Sequence, residues 1–132
     1  MELCELDFSN KQQVFDFVLN KVVEQGEKSS TDGYFSSCCY RLNKNGKQLK
    51  CGIGHLISDQ EYNSGFEGKG VIGLVTEYNF SKFYPAVFYD DLQLAHDRAV
   101  EGVNFVCDFK ENMKDLAIMY EFIYNEPQAQ GV

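Results

Sequence analysis

Tryptophan is missing from this chain of 132 residues, and proline occurs only twice. The core must therefore be anchored by phenylalanine and tyrosine, of which there are eleven and eight. No apolar run approaches the roughly 20 residues of a membrane-spanning helix. There is no C-x-x-C knuckle, no G-x-x-x-x-G-K-[ST] phosphate loop and no G-x-G-x-x-G fingerprint. Cations are in the minority, with 12 Lys and Arg against 20 Asp and Glu and a formal charge of −8. That balance excludes generic nucleic-acid binding, which needs a basic footprint. It suits a basic partner, or a protein that must simply stay in solution. No internal repeat, linker or low-complexity tract appears.

The length corresponds to one domain, with residues 1–125 expected to be globular and 126–132 a frayed tail. Five cysteines make an odd set: Cys4, Cys38, Cys39, Cys51 and Cys107. The start Met1-Glu2-Leu3-Cys4-Glu5 has neither the basic nor the apolar region of a secretory leader. We therefore expect reduced thiols in a cytosol, most of them in the core.

Ser9-Asn10-Lys11-Gln12 has the form of a capping box, and Phe15, Val18, Leu19 and Val22 follow at helical spacing. This predicts a helix from about Ser9 to Glu24, stopped near Gly26, with Phe8 stapling its start. Residues 27–33 read as a loop. Tyr34 to Leu42 reads as a strand, Asn45-Gly46 as a hairpin turn, and Leu49 to Ile53 or Leu56 as the return strand. On that strand Gly52 and Gly54 would leave one face bare for backbone, a ring or a ligand. Ser58-Asp59-Gln60-Glu61 again has a cap form and could open a short helix. Val71 to Tyr78 fits either a strand or a helical turn. Pro85 suits the first turn of a helix carrying Phe88, Leu92, Ala95 and Ala99 and ending near Gly102. Phe105, Phe109, Leu116 and Tyr120 predict a last helix from about Asn104 to Ile123. The sum is a small α+β domain, a β-hairpin or small antiparallel sheet packed by three to four helices.

Chemistry-bearing residues concentrate at the hairpin. Cys39, Cys51, His55 and His96 could supply zinc ligands. On an extended strand, however, Cys51 and His55 would lie roughly 13 Å apart, so the strand must bend. A thiol nucleophile, Cys38, Cys39 or Cys51, would need His55 or His96 as its base, with Arg41 and Lys50 supplying positive surroundings. A small-ligand pocket over the glycine strand would be lined by Tyr40, Arg41, His55, Tyr62 and Glu67. Glu67 could cap the segment after it or pair with Arg41.

The pattern Cys39-x-Arg41, Cys51-x-x-Gly54-His55-Leu56-Ile57-x-Asp59-x-x-Tyr62, Phe66-Glu67-Gly68 and Leu92-Gln93-x-x-His96-Asp97 resembles a group of small phage- and prophage-associated proteins. The likeness spans about residues 34–109. The usual proline after Leu-Ile is replaced here by Ser58. The resemblance implies an intracellular protein, often phage-encoded, with a role in phage–host conflict.

Charge is unevenly placed. Residues 1–66 carry nine acidic and seven basic groups, and residues 67–132 carry eleven and five. The leading expectation is a binding protein in the cytoplasm of a bacterial host. It would occupy the basic surface of a host defence or nucleic-acid-handling protein, its carboxylates standing where phosphates go. Asp90, Asp91, Asp97, Glu101, Asp108, Glu111 and Asp115 are the expected contacts. The two alternatives are a thiol or zinc enzyme at the hairpin and a small-ligand module.

Overall fold

A computed structural model describes residues 1–31 and 38–128. Four α-helices and a two-stranded antiparallel hairpin pack into one small α+β domain. The elements are α1 (Lys11–Gln25), β1 (Arg41–Lys44), β2 (Lys47–Lys50), α2 (Val71–Tyr78), α3 (Ala86–Asp97) and α4 (Phe105–Tyr120). Among the described residues, no helix is long and apolar enough to cross a membrane.

α1 forms where the apolar spacing demands it, burying Val14, Phe15, Val18, Leu19 and Val22. Its cap is Asn10, one residue later than expected; the Asn10 side chain accepts from the Gln13 N–H. Ser9 instead donates to Asp7, and Phe8 lies against the rings of Phe83 and Tyr89. At the other end Gly26 takes the left-handed conformation that closes a helix.

Asn45 and Gly46, both at positive φ, make the hairpin turn, and the register pairs Arg41 with Lys50 and Leu42 with Leu49. Both strands are shorter than expected. On the first, residues 34–37 of the expected span lie outside the described residues, and Cys38 makes only an isolated bridge to Ser30. The second ends at Lys50. Cys51-Gly52-Ile53 turns, and Gly54–Leu56 forms a 3-10 turn. The reason is tertiary. A Cβ on Gly52 would sit 3.2 Å from the Leu92 carbonyl oxygen, and one on Gly54 would sit 2.2 Å from that of Tyr40. Backbone of Leu92 and Tyr40 thus fills the positions that the two glycines leave bare.

Ser58 and Glu61 do form a reciprocal capping pair, closing a turn rather than a helix. The ambiguous Val71–Tyr78 segment is helical. α3 ends at Asp97, short of Gly102, and there the Lys28 ammonium donates to the carbonyls of Asp97 and Ala99. α4 ends at Tyr120 because Glu121 turns left-handed. The chain then runs extended, and Gln12 both donates to and accepts from the Ile123 backbone. Phe15, Phe88, Phe105, Phe109 and Met113 join α1, α3 and α4 in the core.

Candidate functional site

A cavity of about 670 Å³ opens between three walls. One is the chain entering β1, at Cys38, Cys39 and Tyr40. The second is the glycine-rich run Glu67 to Val71. The third is the face of α3 that carries Asp90, Gln93, Leu94 and Asp97. Helical geometry puts Asp90, Leu94 and Asp97 on one stripe, while Leu92 and Ala95 point into the core.

Glu67 holds the first two walls together. Its carboxylate accepts the Tyr40 N–H at 2.9 Å, the Arg41 N–H at 3.1 Å and the Tyr62 hydroxyl at 2.5 Å. Of the two roles expected for Glu67, it takes a form of the second: it binds Arg41 through the backbone, not the guanidinium. That guanidinium lies over the Tyr62 ring at 4.5 Å, donates to the Ile57 carbonyl and pairs with Asp59 at 2.9 Å. Burial, with the bond to Glu67, pushes the Tyr62 hydroxyl up to about 12. Tyr40 donates its hydroxyl to the Lys69 carbonyl, which orders the second wall. Hydrogen bonds and ring contacts thus bring Tyr40, Arg41, Tyr62 and Glu67 together; Tyr40 and Glu67 line the cavity, and His55 sits on the 3-10 turn that packs on α1.

α3 supplies a second hub. Gln93 accepts the Ile53 N–H at 3.0 Å and donates to Asp97 at 2.8 Å. His96 is fully buried, edge-on to Phe105, with Nδ1 2.9 Å from the Asp97 carboxylate. Its Nε2 accepts the Ser29 N–H at 3.1 Å. That bond assigns the proton to Nδ1, which donates to Asp97.

The expected zinc ligands do not converge. Among the described residues, the one group of three metal-binding side chains with donor atoms within 4.8 Å of one another is Cys38, His96 and Asp97. Cys39, Cys51 and His55 fall outside it. The environment of the group opposes a metal. An ion on His96 Nδ1 would force the proton onto Nε2, against the Ser29 N–H, where two donors would face each other.

The same bond bears on nucleophilic chemistry, because the lone pair a general base needs is already occupied. The thiols are held protonated too. Burial first, then the Asp97 charge, raises Cys38 to about 12. Burial and Glu67 raise Cys39. Cys51 is fully buried, accepts the Gly54 N–H at 3.3 Å and is raised further by its burial. His55 is pulled down to about 3 by burial and by Lys50, His96 and Lys21. Neither histidine is poised to take a proton from a thiol.

The seven expected acidic contacts differ in what holds them. Asp91 accepts the Tyr120 hydroxyl at 2.5 Å, Asp108 accepts the Val100 N–H, and Glu111 pairs with Lys114. Glu101 accepts from Ser30, and Asp97 is the hub just described. Asp115 is exposed on the α4 stripe with Asp108 and Glu111. Asp90 lines the cavity and makes no hydrogen bond or ion pair among the described residues. Burial, then Asp91 and Asp97, raises its carboxyl from its ordinary value, with Arg98 acting the other way.

The sequence offered Cys38 as a nucleophile but not among the metal ligands, and it did not offer Ser29. The adjacent His96-Asp97 at a helix end was a usable signal for the hub; nothing local marks Ser29. Comparison with known protein families, with curated proteins and with solved structures finds no match.

Proposed function

We propose that this chain is a binding protein whose acid-walled cavity receives a cationic group, an ammonium or guanidinium, presented by a basic partner protein. The observation that carries this reading is Asp90. It lies in the cavity wall on the same stripe as Asp97, with no hydrogen bond or ion pair among the described residues, and the stabilising charge of Arg98 is outweighed by burial and by Asp91 and Asp97. Glu67 adds a third carboxylate to the lining. The one lysine there, Lys69, is committed to Glu77 at 2.8 Å. A cation entering the cavity would relieve repulsion among carboxylates and gain charge-assisted bonds, each stronger than a neutral one. This reading narrows the broad mimicry of phosphate rows to the one cavity whose lining holds Asp90, Asp97 and Glu67.

The resemblance to phage-associated proteins makes the partner a host protein with a basic surface, reached in the host cytoplasm, with no nucleic acid bound directly. A thiol or zinc enzyme is the weaker reading, since the thiols are raised and the His96 lone pair is taken. The test is calorimetric titration with an arginine-rich peptide. Wild type and Asp115→Asn should bind alike and Asp90→Asn at least tenfold more weakly, with affinity falling as salt rises. Equal affinity for all three would sink the proposal.

A further inference from the structure

The three carboxylates of the cavity differ in how many oxygens they have left. Glu67 has both engaged: Oε1 accepts the Tyr40 N–H, and Oε2 accepts the Arg41 N–H and the Tyr62 hydroxyl. Asp97 has one oxygen engaged twice over. Its Oδ1 accepts from Gln93 Nε2 at 2.8 Å and from His96 Nδ1 at 2.9 Å. Both donors are themselves fixed. Gln93, only 8% exposed, is held by the Ile53 N–H, and fully buried His96 by the Ser29 N–H. The Asp97 carboxylate is therefore kept in one orientation, with at most one oxygen left for the cavity. Asp90 makes no hydrogen bond or ion pair among the described residues, and Arg98 bears on its charge without pairing with it. Both its oxygens are free.

Much of the remaining lining is already in use. The carbonyls of Cys39, Lys69 and Gly70 accept from the Ser29 hydroxyl, the Tyr40 hydroxyl and the Leu74 N–H. Leu94 stands on the α3 stripe between Asp90 and Asp97, and Val71 adds a second apolar side chain. Two kinds of cation meet such walls differently. An ammonium is compact and strongly hydrated, and its three donors need several separate acceptors to replace the water they lose. A guanidinium is planar and weakly hydrated. Two parallel N–H groups along one edge match the two oxygens of a single carboxylate, and its faces can rest on apolar side chains.

We infer that the cavity selects a guanidinium over an ammonium, with Asp90 as the specificity-determining residue that receives the guanidinium fork and Asp97 as a fixed single acceptor beside it. This selection rests on the cavity receiving a cation, as proposed above, and makes the presented side chain an arginine rather than a lysine. An ammonium in the same place would gain the attraction of the charges but leave donors unmatched.

Calorimetric titration of the full chain with hexa-arginine and hexa-lysine, equal in charge and read at one salt concentration, tests this. Wild type should bind hexa-arginine about tenfold more tightly, the worth of roughly one further charge-assisted bond. Asp90→Glu keeps two oxygens and should keep an arginine preference. Asp90→Asn, with one oxygen and an amide, should bind the two peptides within about twofold of each other. Asp115→Asn on α4 should match wild type. Hexa-arginine bound no better than hexa-lysine, or an arginine preference that survives in Asp90→Asn, would overturn the selection and leave the cation reading standing. No binding of either peptide by wild type would sink that reading and the selection with it. Where Asp90→Asn does not fold, the Asp90 carboxyl-carbon NMR resonance of wild type decides. At saturation it should move further under hexa-arginine than under hexa-lysine, and equal movement would overturn the selection.

Discussion

Replacing Glu67 by alanine should be among the more damaging single changes outside the apolar core. Three donors lose their acceptor at once: the Tyr40 N–H, the Arg41 N–H and the Tyr62 hydroxyl. A bond to a charged acceptor contributes about 1.5–3 kcal/mol. The site is only part-buried, so water resupplies some of the loss, and we take roughly 1 kcal/mol per bond, or about 3 kcal/mol in all. For a domain of this size that is a fall in Tm of about 10 °C. Glu67→Gln separates charge from contact. Its one oxygen can keep the Arg41 and Tyr62 bonds, while its amide then faces the Tyr40 N–H, so about half the loss is expected. Urea unfolding at pH 7 by circular dichroism gives both numbers. An alanine variant within about 0.5 kcal/mol of wild type would refute the claim that this carboxylate joins the first two walls.

Other expectations follow from neighbouring residues. Gly54→Ala should cost several kcal/mol or prevent folding, because its Cβ would lie 2.2 Å from the Tyr40 carbonyl oxygen; a Tm within 3 °C of wild type would show that this contact yields cheaply. With iodoacetamide at pH 8, exposed Cys4 and Cys107 should alkylate well before Cys38 and Cys51, as peptide mass mapping would show; fast alkylation of Cys38 would revive the enzyme reading. Stability should be full below pH 9 and decline toward pH 12, since Cys38 ionises near 9 when unfolded and near 12 when folded. Denaturant midpoints that do not fall between pH 8.5 and 10.5 would contradict the seclusion of the hairpin thiols. Asp90→Asn should leave stability unchanged or slightly raised, because the fold disfavours that carboxylate; a lower midpoint would mean that Asp90 has a structural role.

Much of the frame was legible from local signals. The stripes of α1 and α4 and the Asn45-Gly46 turn are short-range features that tertiary contacts reinforce. Alternation misled at Cys51 to His55, where strand-like spacing hides a turn forced by the Leu92 and Tyr40 carbonyls against Gly52 and Gly54. Those contacts join residues about 40 and 14 positions apart, and no local pattern encodes them. The same limit explains the site. Tyr40, Arg41, Tyr62 and Glu67 could be grouped because they share one stretch of chain. The convergence of Ser29, Cys38 and His96 depends on the path from α1 into the hairpin, and choosing Cys39 over Cys38 was a choice between neighbours that composition cannot rank. Three of the residues on which the resemblance rests bond backbone through their side chains: Glu67 to Tyr40 and Arg41, Gln93 to Ile53, and Arg41 to Ile57. That part of the pattern shapes the cavity walls.

The central claim is that a cation binds between the chain entering β1, the Glu67–Val71 run and α3. The direct measurement is an amide nitrogen–proton correlation NMR titration of the labelled protein with hexa-arginine at about 50 and 300 mM salt, conditions spanning about a 2.5-fold change in Debye length. The account predicts saturable shifts confined to residues 38–40, 67–71 and 90–97, weaker at high salt and lost in Asp90→Asn. Shifts centred instead on the Asp108, Glu111 and Asp115 stripe of α4, or none at either salt, would contradict it.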